Sequence, residues 1–433
     1  MGIGESTEDV VESICVNSFL ADFVVRSPKF TKKSGSELEA ADLLLPFGDT
    51  LITFQVKTKS LPVIVDDNAE LSMDRIRRRI AEAVEQIKTI KRGLETDAIP
   101  HVMNLRDIKL PFVCRSPKKI IGIVVFRAVK GGSLTEDVRV TIYGGLDRVR
   151  DISVHIFELN DFEVIARECD TLPDLLTYLE TREKFIREGI LFPITAELDF
   201  LAAYKTRGDV LERCLAGEIK EVSIEAGLWD KFVTEHRNEI IEREKRRRTS
   251  KIVDLLIEEL HKCIGYSIDN ELANPEELPD VLRPEPASVE QYFKMASELS
   301  LLNRAERMEL GQRMFDVVER ADTSPKGFSF VVFISKSGCA PIAFVSSKGS
   351  RANIRIDLYK IVAAAYVHFK LSKILGIATQ QKSAQGRSHD FMLLEGVTFQ
   401  NEDDVRKLGE LLFTSTKKSA CSEWGDADAR AES

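Results

Sequence analysis

Nothing in this sequence asks for a disulfide, a zinc ion or a membrane. Its seven cysteines (Cys15, Cys114, Cys169, Cys214, Cys263, Cys339 and Cys421) are scattered, and no two of them form a C-x-x-C pair. That excludes a disulfide framework and a thiolate metal site, and it fits reduced thiols in a reducing compartment. The six histidines are equally isolated; His368, in "YVHFK", reads as a packed side chain on an apolar helix. No run approaches the roughly 18 to 20 apolar residues of a membrane helix. The first residues, "MGIGESTEDVVESI", lack the basic-then-apolar order of a signal peptide, and Met1-Gly2 with Ser6 matches only a short myristoylation pattern. The expectation is a cytoplasmic protein with no membrane partner.

What is present is ordinary material for folding. Hydrophobic residues make up 43% of the 433 and charged residues 30%, enough for two or three domains. Net charge is −9, which by itself speaks against nucleic acid. The balance is uneven, however: from residue 20 to 131 there are about 20 Lys/Arg against about 14 Asp/Glu, a local basic surface of the kind that phosphate contacts require.

Periodicity predicts a helix over 7–21, with Val11, Ile14, Cys15 and Phe19 inward, then a hairpin over 41–59. A helix follows in "LSMDRIRRRIAEAVEQIKTIKRG", where Ile76, Ile80, Ala83, Ile87 and Ile90 recur at helical spacing. "KKIIGIVVFRA" reads as a buried strand, "VRVTIYGG" and "VHIFELN" as further strands, and "LPDLLTYLETREKFIRE" as a helix. We expect an α/β domain over 1–174, a mostly helical region with a linker over 175–287, a second α/β domain over 288–416, and a disordered tail over 417–433. The second α/β domain is built from a helix over 289–320, strands "FSFVVFIS", "PIAFVSS" and "ILGIATQ", and a helix around "DLYKIVAAAYVHFKLS". No internal repeat is evident. The basic run Lys245 to Arg248 reads as a solvated helix face. Gly386, Arg387 and Ser388, after the last strand, lack phosphate-loop spacing and read as surface loop.

The hairpin "ADLLLPFGDTLITFQVKTK" is the unusual stretch. Side chains two apart share a strand face, so Ile52, Phe54 and Val56 form an apolar face, while Thr53, Gln55, Lys57 and Lys59 form a polar one that we expect to stay open. A hairpin register sets Asp42 beside Gln55 and Lys57. A carboxylate, an amide oxygen and an ammonium in one small area suit phosphodiester hydrolysis. The two oxygens, with the backbone carbonyl of Val56, are hard ligands for Mg²⁺ or Mn²⁺, and the ammonium offsets charge developing on phosphorus.

At these residues the stretch resembles the PD-(D/E)xK nuclease superfamily: Asp42, twelve intervening residues, then Gln55-Val56-Lys57, with the Gln of the Mrr-like branch. The resemblance covers about residues 7 to 130. It implies a restriction-endonuclease-like mixed sheet flanked by helices, with Asp42 and Gln55 as metal ligands and Lys57 assisting the nucleophile. Related sequences often carry a further acidic residue; Glu39 is the nearest candidate and Glu12 its rival. Gln86, on the following helix, falls where some branches direct a Gln at the site, and Arg75, Arg78 and Arg79 on that helix are candidates for phosphate contact. Asp209 with Glu218-Ile219-Lys220 also satisfies the bare pattern but reads as helix, and is rejected. The implied function is a Mg²⁺-dependent endonuclease acting on nucleic acid, DNA by resemblance, of the sort that serves prokaryotic restriction or phage defence. A homodimer or a partner protein bound through the C-terminal domain is compatible with it. The rival reading is a nucleic-acid-binding or regulatory protein that keeps the fold without cutting.

Overall fold

The computed structural model describes residues 6–31, 37–61, 69–95, 101–103, 105, 109–111, 117–130, 146–149, 151–188, 196–219, 222–263, 289–380, 389–399 and 401–414. The chain forms two compact units, Met1–Arg246 and Arg247–Ser433. The stretch expected as a separate helical region is therefore shared between them, its helices before residue 247 belonging to the first unit. The expected strand "VRVTIYGG", most of the expected linker, the loop with Gly386, Arg387 and Ser388, and the expected disordered tail lie outside the described residues.

In the first unit, α1 (Thr7–Phe19) starts at a capping box in which Ser6 and Asp9 exchange hydrogen bonds, satisfying two N–H groups that the helix leaves unpaired. There follow β1 (Val25–Arg26), β2 (Lys29–Thr31), β3 (Glu37–Glu39), β4 (Leu43–Phe47), β5 (Thr50–Leu61), α2 (Ala69–Glu95), β6 (His101–Met103), β7 (Lys109–Pro111), β8 (Lys119–Lys130), β9 (Leu146–Val149) and β10 (Ile152–Glu158). The main sheet runs β1-β4-β5-β8-β10-β9. Its β4–β5 hairpin closes through Gly48 at φ +53°, the left-handed residue that a two-residue turn needs. Strand β5 then crosses through α2 to pair in parallel with β8, and β8 pairs in parallel with β10.

Helix α2 covers one sheet face, packing Ala83, Val84 and Ile87 on Val124, Val154 and Ile156. Its close approach depends on Gly122, where an added Cβ would meet the Ile87 side chain at 2.8 Å. On the other face, Phe54 meets Phe162 edge-on at 5.6 Å between ring centroids, and α1 packs against α3 (Leu159–Cys169). The segment "VHIFELN" is thus strand up to Glu158 and helix from Leu159: Glu158 ends β10 and its carboxylate accepts the Asn160 N–H as the N-cap of α3. The unit continues through α4 (Leu172–Arg187), α5 (Glu197–Thr206), α6 (Gly208–Leu215) and α7 (Leu228–Glu235) into α8 (Arg237–Cys263), which crosses the boundary between units. Asp209 lies on α6, in keeping with the rejection of the second pattern match.

The second unit adds α9 (Val289–Ser300), α10 (Arg304–Thr323), β11 (Phe328–Phe333), β12 (Ile342–Ser347), α11 (Arg351–His368), β13 (Lys373–Gln380), β14 (His389–Glu395) and α12 (Glu402–Thr414). The single helix expected over 289–320 is two, because Asn303 and Glu306 form a capping box that starts α10 afresh. Its sheet is ordered β11-β12-β13-β14, mixed like the first. Helices α11 and α12 cover one face around Ala343, Val345, Ile361, Val362 and Phe413. Among the described residues, no helix is long and apolar enough to cross a membrane.

Candidate active site

The hairpin register follows from its tight turn, since the two-residue connection Gly48-Asp49 sets Phe47 opposite Thr50. The register pairs Leu43 with Phe54, and the Asp42 N–H donates to the carbonyl of that same Phe54 at 3.2 Å. Asp42 is thereby held beside β5, just past the end of β4. The Val56 N–H donates to Asp42 Oδ2 at 2.6 Å, which fixes the carboxylate against β5. The Val56 carbonyl leaves the strand on the same edge as its N–H, toward Asp42.

Lys57 completes the group. Its Nζ donates to Gln55 Oε1 at 3.2 Å and lies 3.9 Å from Asp42 Oδ2. The three residues picked out by the pattern are thus brought together on one sheet face. That face is not open as expected: α2 packs over β5, and Thr53 and Gln55 are only 0% and 4% exposed. Solvent reaches the group at its far end, where the Asp42 and Lys57 side chains keep 14% and 20% exposure. Partial burial is what makes the electrostatics strong. It raises the Asp42 carboxyl above its ordinary value; the Val56 N–H and the Lys57 charge pull it down, and Glu39 pushes it up.

Sequence reasoning missed one acidic residue, Glu8. It lies in the first turn of α1, and its carboxyl is raised by burial first and then by the charges of Asp42 and Glu39, with Arg26 and Lys57 opposing. Glu8 thus shares the electrostatic neighbourhood of Asp42 and Lys57. A hydrogen bond from Thr58 Oγ1 to Thr7 Oγ1 at 2.5 Å ties the start of α1 to β5 one residue beyond Lys57. Of the two candidates named from sequence, Glu12 is engaged by Arg26 at 2.9 Å, whereas Glu39 is exposed at the end of β3 and acts on Asp42 through its charge. Helical periodicity contains the missing signal, since Glu8 and Glu12 are one turn apart, but only the fold chooses which turn faces the hairpin.

Among the described residues, no hydrogen bond or ion pair joins the candidates carried by α2 to Asp42, Gln55 or Lys57. Gln86 is exposed, and its neighbour Ile87 packs at Gly122, a position paired with Thr53 and not with Gln55. Arg75, Arg78 and Arg79 are exposed as well, Arg79 pairing with Glu82 at 2.7 Å. Elsewhere on this sheet, burial pushes the Glu158 carboxyl up to about 7, with the Asp161 charge adding to it.

Among the described residues, no group of three or more His, Cys, Asp or Glu is placed to hold a metal ion. The donors at the hairpin are a different set: one carboxylate, one amide oxygen and one backbone carbonyl. All are hard oxygens, and Mg²⁺, which keeps several waters, needs few protein ligands. By donor chemistry the set fits such an ion. Searches against protein-family models, curated proteins and solved structures found no match for this chain.

Proposed function

We propose that the first unit is a Mg²⁺-dependent endonuclease of the PD-(D/E)xK type, hydrolysing phosphodiester bonds in nucleic acid, with DNA the favoured substrate. The observation that carries this reading is the convergence of Asp42, Gln55 and Lys57, with the ammonium within 3.2 Å of the amide oxygen and 3.9 Å of the carboxylate. The element order supports it: a helix, three antiparallel strands, a crossover helix and a parallel strand (α1, β1, β4, β5, α2, β8) follow one another, as the resemblance to that superfamily implies.

In this reading Asp42, Gln55 and the Val56 carbonyl hold the cation. When bound, Mg²⁺ supplies Lewis acidity to the phosphoryl oxygen and to attacking water. The chain's own residues do the rest. The Val56 N–H holds the Asp42 carboxylate in one orientation, so little reorganisation accompanies binding. Lys57 Nζ, pinned by Gln55, orients the water and offsets negative charge that builds on the phosphorus. Glu8 adds a second carboxylate at the rim.

The test uses purified full-length protein with duplex DNA and Mg²⁺ or Mn²⁺. Asp42→Ala and Lys57→Ala are each expected to lower cleavage by at least about a hundredfold, with melting temperatures near wild type. Calorimetry on the Asp42→Ala protein is expected to lose the metal-binding heat seen with wild type. Cleavage that survives either substitution sinks the assignment. Wild-type protein that binds nucleic acid with no metal heat and no cutting would favour the binding-protein reading.

A further inference from the structure

A groove in the first unit lies at the other end of the sheet from Asp42. Its volume is about 690 Å³, and it draws its lining from the end of α2, the start of β8, the β9–β10 turn and α4. Lys119, at its edge, pairs with Thr50, whereas Lys57 pairs with Phe126. Seven strand positions separate the two places, about 23 Å at the rise of a β-strand.

The lining holds six cations, Lys91, Lys118, Lys119, Arg148, Lys184 and Arg187, against three carboxylates, within a chain whose net charge is −9. Each carboxylate is already matched by a lining cation: Asp151 by Lys91 at 2.6 Å, Glu180 by Lys119 at 2.7 Å, and Glu183 by Arg187 at 2.6 Å. Beyond these pairs the lining carries Lys118, Arg148 and Lys184, and Arg148 is itself engaged. Lys118 pairs with Asp49, but both side chains are largely exposed, and such a pair holds its partner weakly. Lys184 makes no ion pair among the described residues. Part of the wall is preorganised, since the half-exposed Arg187 guanidinium is held by Glu183 and by the buried Ser153 hydroxyl.

An open groove lined by twice as many cations as carboxylates, on several elements, suits a ligand that presents several separated anionic groups, which is the chemistry of phosphate esters. We propose that this groove is a second phosphate-binding site, separate from the Asp42 group and independent of metal. Two sources present that chemistry, the backbone of a nucleic acid and a free nucleotide, and the experiment separates them.

The probes are a fluorescent 20-base-pair DNA duplex, followed by anisotropy across a salt series, and ATP, followed by thermal shift. Both are used in EDTA, so that failure of the nuclease reading leaves this test intact. The protein is full-length Lys118→Glu/Arg148→Glu/Lys184→Glu, compared with wild type. All three positions are exposed, and an unchanged melting temperature is expected. If the backbone is the ligand, the variant binds DNA at least tenfold more weakly and the slope of log affinity against log salt falls by about three. If a free nucleotide is the ligand, wild type is stabilised by ATP and the variant is not. Should the triple variant melt early, Lys184→Glu alone carries the test, with a slope change of about one. A variant that binds both probes like wild type, or a wild type that binds neither, overturns the proposal.

Discussion

Asp42 shows how far a single side chain sits from what stability alone would choose. Burial raises its carboxyl above the ordinary value, and this outweighs the pull of the Val56 N–H and the Lys57 charge. The folded protein therefore holds the proton on Asp42 more tightly than the unfolded chain does. By linkage, the carboxyl favours folding at pH below its unfolded value, and that contribution is lost as pH rises through the folded value. As rising pH ionises it, Asp42 thus weakens the fold. Asn is nearly isosteric, carries no charge and still accepts from the Val56 N–H. We expect Asp42→Asn to melt above wild type at pH 7, with the gap narrowing as pH falls through the raised folded value and closed by about 4, the ordinary carboxyl range. Thermal melts across that range check it. A lower melting temperature for the variant at pH 7 would mean that Val56 and Lys57 repay the burial in full, and the residue would lose its mark as a site kept against stability.

At the level of elements, packing over the sheet decides what the sequence could and could not disclose. The hairpin was legible because strand parity and a Gly48 turn are local signals. Helix α2 was legible because five apolar positions recur at helical spacing. The cover that α2 places over Gln55 was not, since parity says which side chains share a face and nothing about what lies on it. Glu8 was hidden for the same reason. Strand β14 and helix α12 were missed outright; β14 alternates poorly, with "HDFMLLE" half-buried on both faces. Arg182 is the sharpest case. In "LETREKFIRE" it looks like one more charge on a solvated helix, yet it is fully buried. Its guanidinium donates to both oxygens of Glu197 at 2.7 and 2.9 Å and lies over the Phe157 ring at 4.8 Å. The pair joins α4 to α5 and to β10, and Tyr178 adds a hydrogen bond to the same carboxylate at 2.6 Å. Arg182→Met keeps much of the volume but leaves Glu197 without its cation, so it is expected to destabilise the unit by about 3 to 5 kcal/mol. Denaturant unfolding measures this. If the double variant Arg182→Met/Glu197→Gln is no more stable than the single one, the unpaired carboxylate is not the cause.

For the whole molecule, the question is how many reaction centres one chain carries. No repeat is visible in the sequence, yet both units contain a hairpin, a crossover helix and a parallel third strand: β4–β5–α2–β8 in the first, β11–β12–α11–β13 in the second. The likeness stops at the side chains. Where β5 turns Gln55 and Lys57 toward its crossover helix, β12 turns Ala343, Val345 and Ser347. The first two of these belong to the apolar core, and Ser347 donates to Asp357 of α11 at 2.9 Å. In the proposed reading, then, each chain cuts one strand at a time, and a double-strand break needs two chains or two visits. On supercoiled plasmid, nicked circles are expected to accumulate before linear product at low protein concentration. The linear fraction should rise with concentration more steeply than the nicked fraction if two chains act together. Mixing wild type with an equal amount of Lys57→Ala protein should then suppress linear product more than nicking, because half of the pairs contain one dead centre. Linear product that appears first, unaffected by the dead partner, would require a second cutting centre in the chain, and among the described residues β12 itself carries neither a carboxylate nor a lysine with which to build one.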